Sequence, residues 1–95
     1  MKLPVSRVVI LGERYKINVK NIPEGFGRVI YKDCVLDIHP EQSTDSARDT
    51  LLHEIVHALD HAESLRLTEE QVRRVATGLR AVFAANPKVA RFVSE

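Results

Sequence analysis

Ten consecutive residues hold most of the chemistry this chain can do. The segment Leu51-Leu52-His53-Glu54-Ile55-Val56-His57-Ala58-Leu59-Asp60 contains the pattern His-Glu-x-x-His. On a helix, residues i and i+4 lie on one face, one turn apart. Two imidazoles so placed can reach a single tetrahedral Zn²⁺ at about 2.0–2.1 Å each. Glu54 follows the first histidine and can reach a water at the metal. It would act as general base while the metal lowers the pKa of that water and polarises a carbonyl. The bare pattern fixes three positions and arises by chance in many proteins. Here Leu51-Leu52, Ile55-Val56 and Ala58-Leu59 give the helix a face to bury and leave both histidines on a shared edge.

A catalytic zinc site takes three protein ligands and keeps the fourth position open. His61 lies eight residues beyond His53, about 12 Å along a straight helix. It cannot share one metal with both other histidines unless the helix breaks. Asp60 is suited to orienting a ligand histidine rather than to ligation. Glu69 and Glu70 open the next helix, which would pack antiparallel on the first. Glu69 shares the face of Val72 and Ala76, while Glu70 points about 100° further round, toward solvent. Glu69 is thus the better third ligand and Glu70 the fallback, although acidic residues also suit a helix N-terminus for its dipole alone.

The elements that must position these residues divide the chain in two. Residues 5–39 are rich in Val, Ile and Tyr and broken by Gly, Pro and Asn. Residues 44–93 are rich in Ala, Leu, Glu and Arg with helical spacing. Strands followed by helices predict an α+β domain: a small antiparallel or mixed sheet packed on an active-site helix and a glutamate-bearing helix. Val5–Leu11 and Arg14–Lys20 read as strands turning at Gly12-Glu13. Arg28–Tyr31 and Cys34–Ile38 read as a second hairpin turning at Lys32-Asp33. The first helix starts at Ser43, Thr44 or Asp45 and carries one stripe of Ala47, Leu51, Leu52, Ile55, Val56 and Leu59. Thr68-Glu69-Glu70-Gln71 is a capping box. The stripe that follows is Val72, Val75, Ala76, Leu79 and Phe83. Asn86-Pro87 reads as a cap and first-turn proline opening a last helix to about Val93.

Composition narrows the function. Ninety-five residues are read as a single domain, 1–95, with a core small enough for a metal or partner to help hold it. Fourteen Lys+Arg against thirteen Asp+Glu leave a net charge of +1, and Trp is absent. Neither a clustered positive field nor a stacking platform for nucleic acid is expected, and no membrane partner. The lone Cys34 cannot form an internal disulfide, and in a strand it reads as an inert small hydrophobe. No secretory signal and no apolar run of about 20 residues is evident, so a cytoplasmic address is expected. Arg73, Arg74, Arg80 and Arg91 read as a solvated face.

Taken together, His53-Glu54-Ile55-Val56-His57-Ala58, the segment Leu67 to Ala76 and Asn86-Pro87 resemble the very small zincin-type metallopeptidases of phages and prophages, relatives of the ImmA/IrrE-type and gluzincin peptidases. For a phage or prophage protein the address would be the bacterial host's cytoplasm. The resemblance spans most of the chain. It implies Zn²⁺ on His53, His57 and Glu69, with Glu54 catalytic. It implies a peptide or protein substrate bound by strand addition to the edge strand before the active-site helix, here Cys34–Ile38 or Arg28–Tyr31. The chain is too short for the C-terminal subdomain of larger gluzincins, and no specific oxyanion-stabilising Tyr or His can be matched. Tyr31, His39 and His61 are the available donors. Two functions follow from these residues. One is a peptidase, more readily an endopeptidase, hydrolysing peptide bonds with a metal-activated water. The other is a non-catalytic, zinc-stabilised interaction module, for which a carboxylate beside the ligand has no use.

Overall fold

Arg7–Ile10 (β1) and Glu13–Val19 (β2) form an antiparallel hairpin with Ile10 opposite Glu13 in the computed structural model, which describes residues 1–95. The turn therefore sits on Leu11-Gly12, one residue earlier than expected. Both residues have positive φ, 48° and 85°, as a two-residue turn matched to strand twist requires. Gly27–Ile30 (β3) and Val35–Ile38 (β4) pair antiparallel. Their connection is a 3₁₀ turn, Tyr31–Asp33, closed by Cys34 in the left-handed region, rather than a tight turn at Lys32-Asp33. Tyr31 accordingly leaves the strand.

The sheet order is β1-β2-β4-β3, and β2 runs parallel to β4. The sheet is mixed. β4 is paired on both sides, so of the two expected edge strands only β3 has a free edge; Cys34–Ile38 cannot accept an added strand.

Three helices follow: Thr44–Glu63 (α1), Glu69–Ala85 (α2) and Pro87–Ser94 (α3). Ser43 caps α1, its side chain accepting from the Ser46 amide at 3.0 Å. The capping box of α2 is complete, with Thr68 and Gln71 each accepting from the other's backbone N–H. Asn86 occupies the N-cap position of α3 with Pro87 in the first turn, as expected, but its side chain makes no capping hydrogen bond. Its side chain instead donates back to the Val82 carbonyl at 2.9 Å, closing the end of α2.

The single stripe expected on α1 is in fact two faces. Leu51, Ile55, Ala58 and Leu59 pack on the sheet with Ile10, Tyr15, Ile17, Leu36 and Ile38. Leu52 and Val56 meet Val72 and Ala76 of α2. This division follows from α1 lying between sheet and helix, each needing its own apolar strip. On α2 only Val72 and Ala76 are buried. Val75 and Leu79 keep 44% and 39% of their surface, so two of the five residues of the expected stripe face out. Arg80 joins Asp49 at 3.0 Å and also pairs with Asp45, tying the end of α2 to the start of α1 and making the two helices antiparallel. No helix is long and apolar enough to cross a membrane.

Candidate metal centre

The antiparallel pairing of α1 and α2 brings the start of α2 beside the middle of α1. There the Glu69 carboxylate spans both histidines: Oε1 lies 2.7 Å from His53 Nε2 and Oε2 lies 2.9 Å from His57 Nε2. The three side chains offer one ligand atom each within 4.8 Å of one another. Two imidazole nitrogens and a carboxylate oxygen at that spacing suit a divalent metal of the zinc type. The imidazoles are half-buried, and their ring centroids are 4.8 Å apart at an edge-on angle of 66°.

Glu54 stands next to this group and is only 6% exposed. Burial, and then the negative charge of Glu69, push its carboxyl from 4.5 up to about 7. Its neighbour across the cleft is the backbone of β3. A Cβ on Gly27 would fall 2.5 Å from Thr50 Cγ2 and 3.0 Å from Glu54 Oε2. Gly27 is what lets the free edge of the sheet press against the general-base candidate.

Glu70 is not a ligand in this arrangement. Its exposed carboxylate accepts from Arg73 and Arg74, and those guanidinium bonds hold its pKa below the usual carboxylate range. Asp60 does not orient a histidine; its Oδ1 accepts from the Leu67 amide at 3.0 Å and fixes the loop between α1 and α2. The Cys34 thiol donates weakly to the Tyr31 carbonyl, away from the three ligands.

The three oxyanion-donor candidates separate clearly. His39 Nδ1 accepts from the Glu41 amide and lies outside the cleft. His61 stacks on Tyr31 with centroids 4.0 Å apart and does not line the cleft. Tyr31 lines it, with its hydroxyl donating to the His57 carbonyl at 3.3 Å. Burial, and then the surrounding carboxylates led by Asp60, raise its pKa, so it stays a protonated donor near neutrality.

Two site residues escaped the sequence reading. Gln42 donates through Nε2 to the carbonyls of Phe26 and His39, and its Oε1 accepts from the hydroxyls of Ser46 and Thr50. It thereby ties the approach to β3 to the first turns of α1. Nothing in local sequence marks a glutamine for that task. Arg73 is exposed, as a solvated helix face requires, but it also lines the cleft, a place the sequence reading did not give it. The signal for it was available: Arg73 is four residues beyond Glu69 and so shares its helical face.

These walls enclose an open cleft of about 630 Å³ between α1, α2 and the free edge of β3, and three of its fifteen lining residues are hydrophobic. Ligand cavities for apolar molecules are mostly apolar-lined, so this one suits a polar, extended ligand. In comparisons with protein-family models, curated proteins and solved structures, nothing matches this chain.

Proposed function

We propose that this chain is a zinc-dependent peptidase of the minimal zincin kind, hydrolysing peptide bonds in its open cleft. One observation carries the reading: Glu69 reaches both histidines of His53-Glu54-x-x-His57 while Glu54 sits buried beside them. His53, His57 and Glu69 would hold the metal. Zinc bound there supplies Lewis acidity for a peptide carbonyl and lowers the pKa of a water. Glu54, buried beside those ligands, would accept a proton from the attacking water and return one to the leaving amine. A carboxyl raised toward neutrality by burial is suited to both halves of that transfer. Tyr31 places a hydroxyl donor on the cleft wall for the developing oxyanion, once turned from the His57 carbonyl. The free edge of β3, held close by Gly27, offers unpaired backbone groups to an extended peptide. A purely structural zinc module has no use for a buried, ionisable Glu54 that is not a ligand.

Elemental analysis tests the metal, and a Glu54→Gln variant tests the chemistry. The expected result is one zinc per chain in the wild type and in Glu70→Ala, and none in Glu69→Ala. Peptide hydrolysis by the wild type should disappear in Glu54→Gln while zinc is retained. A wild-type protein that stays metal-free after reloading with zinc would remove the proposal.

A further inference from the structure

Glu69, Arg73 and Thr77 stand four residues apart on α2, and all three line the cleft. Successive members of such a row are about 6 Å apart along the helix axis. Arg73 thus lines the cleft one turn from the metal-ligand candidate, its guanidinium pairing with the neighbouring Glu70. Its charge is incompletely matched. Arg73 donates through Nε and Nη2 to Glu70, at 3.2 and 2.5 Å, but Arg74 Nε donates to the same carboxylate at 2.8 Å. Two guanidiniums share one carboxylate, and Arg73 Nη1 has no hydrogen-bond partner in the chain. The cleft's other cation, Arg28, is held by the buried Asp37 at 2.8 Å.

Resting on the peptidase reading, we infer that Arg73 is a specificity-determining residue that binds a carboxylate of the peptide, adjacent to the bond held at His53, His57 and Glu69. Guanidinium matches a carboxylate through paired N–H donors, and the contact is directional enough to fix a substrate's register. The carboxylate comes from an acidic side chain or from the substrate's own C-terminus; both present the same group. A polar cleft with one incompletely neutralised cation favours such a substrate over an apolar one.

Hydroxamates, which chelate zinc, separate the metal from the guanidinium. Acetohydroxamate reports the metal alone. Succinic monohydroxamate and its methyl ester differ only in the distant carboxylate. With zinc-loaded wild type, the acid should bind about tenfold more tightly than the ester, at the low end for a charge-assisted contact because Arg73 is half exposed. In Arg73→Ala the ratio should fall to about one, with zinc content and acetohydroxamate affinity unchanged, and Arg73→Lys should recover part of it. Malonyl hydroxamates carrying either aspartic acid α-amide or glycine free acid then distinguish a side-chain from a C-terminal carboxylate. Equal binding of acid and ester by wild type that binds acetohydroxamate, or an acid preference that survives in Arg73→Ala, overturns the role of Arg73 and leaves the metal reading intact. Failure of zinc or acetohydroxamate to bind removes the metal reading, and this inference with it.

Discussion

Gly27 and Glu54 belong to different layers, yet a methyl group added to the first would reach to 3.0 Å from the carboxylate of the second. Thr50 is closer still, its Cγ2 lying 2.5 Å from that added carbon. Gly27→Ala should therefore push β3 from α1 and destabilise the fold by about 1–3 kcal/mol, the usual range for overpacking. The cause is specific enough to be reversed. Thr50→Ser deletes Cγ2 and keeps the hydroxyl that donates to Gln42. Chemical denaturation of the two single variants and the double variant should show recovery of most of the loss. If Thr50→Ser rescues nothing, the close approach is not what excludes a side chain at position 27.

Glu54 carries a stability cost that depends on pH. Its carboxyl titrates at about 7 in the folded, metal-free protein against 4.5 in the unfolded chain. Between those values the folded state binds more protons than the unfolded state, so stability falls as pH rises. Below about pH 4.5 the group is protonated in both states and costs nothing. Above about pH 7 it is ionised in both, and the full cost applies, on the order of 3 kcal/mol. Metal-free Glu54→Gln should accordingly be the more stable protein at pH 8, by roughly 2–3 kcal/mol, and about equal to wild type at pH 4. Urea denaturation across that range measures it. Parallel pH profiles for the two proteins would show that Glu54 is not buried with its charge opposed.

Sequence spacing was sufficient for the parts governed by one helix. His53 and His57 share a face because four residues make about one turn, and Glu69 faces them because it shares the face of Val72 and Ala76, which are buried against α1. The capping box at Thr68 was legible, and the start of α1 was narrowed to Ser43, Thr44 or Asp45, because capping is a local hydrogen-bond exchange. What stayed hidden depends on contacts between distant segments. Val35–Ile38 and Gly27–Ile30 look alike as short apolar runs. Only the parallel pairing of β2 with β4 makes one central and the other an edge. Gln42 and Gly27 have no local signature, since each is defined by a partner layer. The exposed Val75 and Leu79 show that helical periodicity names a face without saying whether anything covers it.

The end of α1 offers a stabilising change remote from the cleft. Ser64 closes the helix in the left-handed region, φ 53°, with its amide donating to the Asp60 carbonyl. Glycine adopts that conformation without the steric cost borne by a side chain. Ser64→Gly should raise stability by about 0.5–1 kcal/mol, and zinc content should not change. A fall in melting temperature would mean that the serine contributes more through its side chain than its backbone costs.

Asp37 poses the opposite problem: a carboxylate 1% exposed in the central strand β4. It accepts from Arg28 Nε at 2.8 Å on β3 and from Asn18 Nδ2 at 3.5 Å on β2, its register partners on either side. Removing the guanidinium leaves the carboxylate buried with only a long amide contact. A buried pair broken on one side typically costs about 3–5 kcal/mol. Because Arg28 is itself 38% exposed, the expected loss for Arg28→Met is nearer about 2–3 kcal/mol. The double variant Arg28→Met, Asp37→Leu removes both charges and should lie closer to wild type than Arg28→Met does, since neither desolvation nor an unpaired charge remains. A thermodynamic cycle over the three variants reads the coupling directly. Additive losses would mean that Arg28 and Asp37 stabilise the sheet independently, and that the row Asn18–Asp37–Arg28 is not a unit.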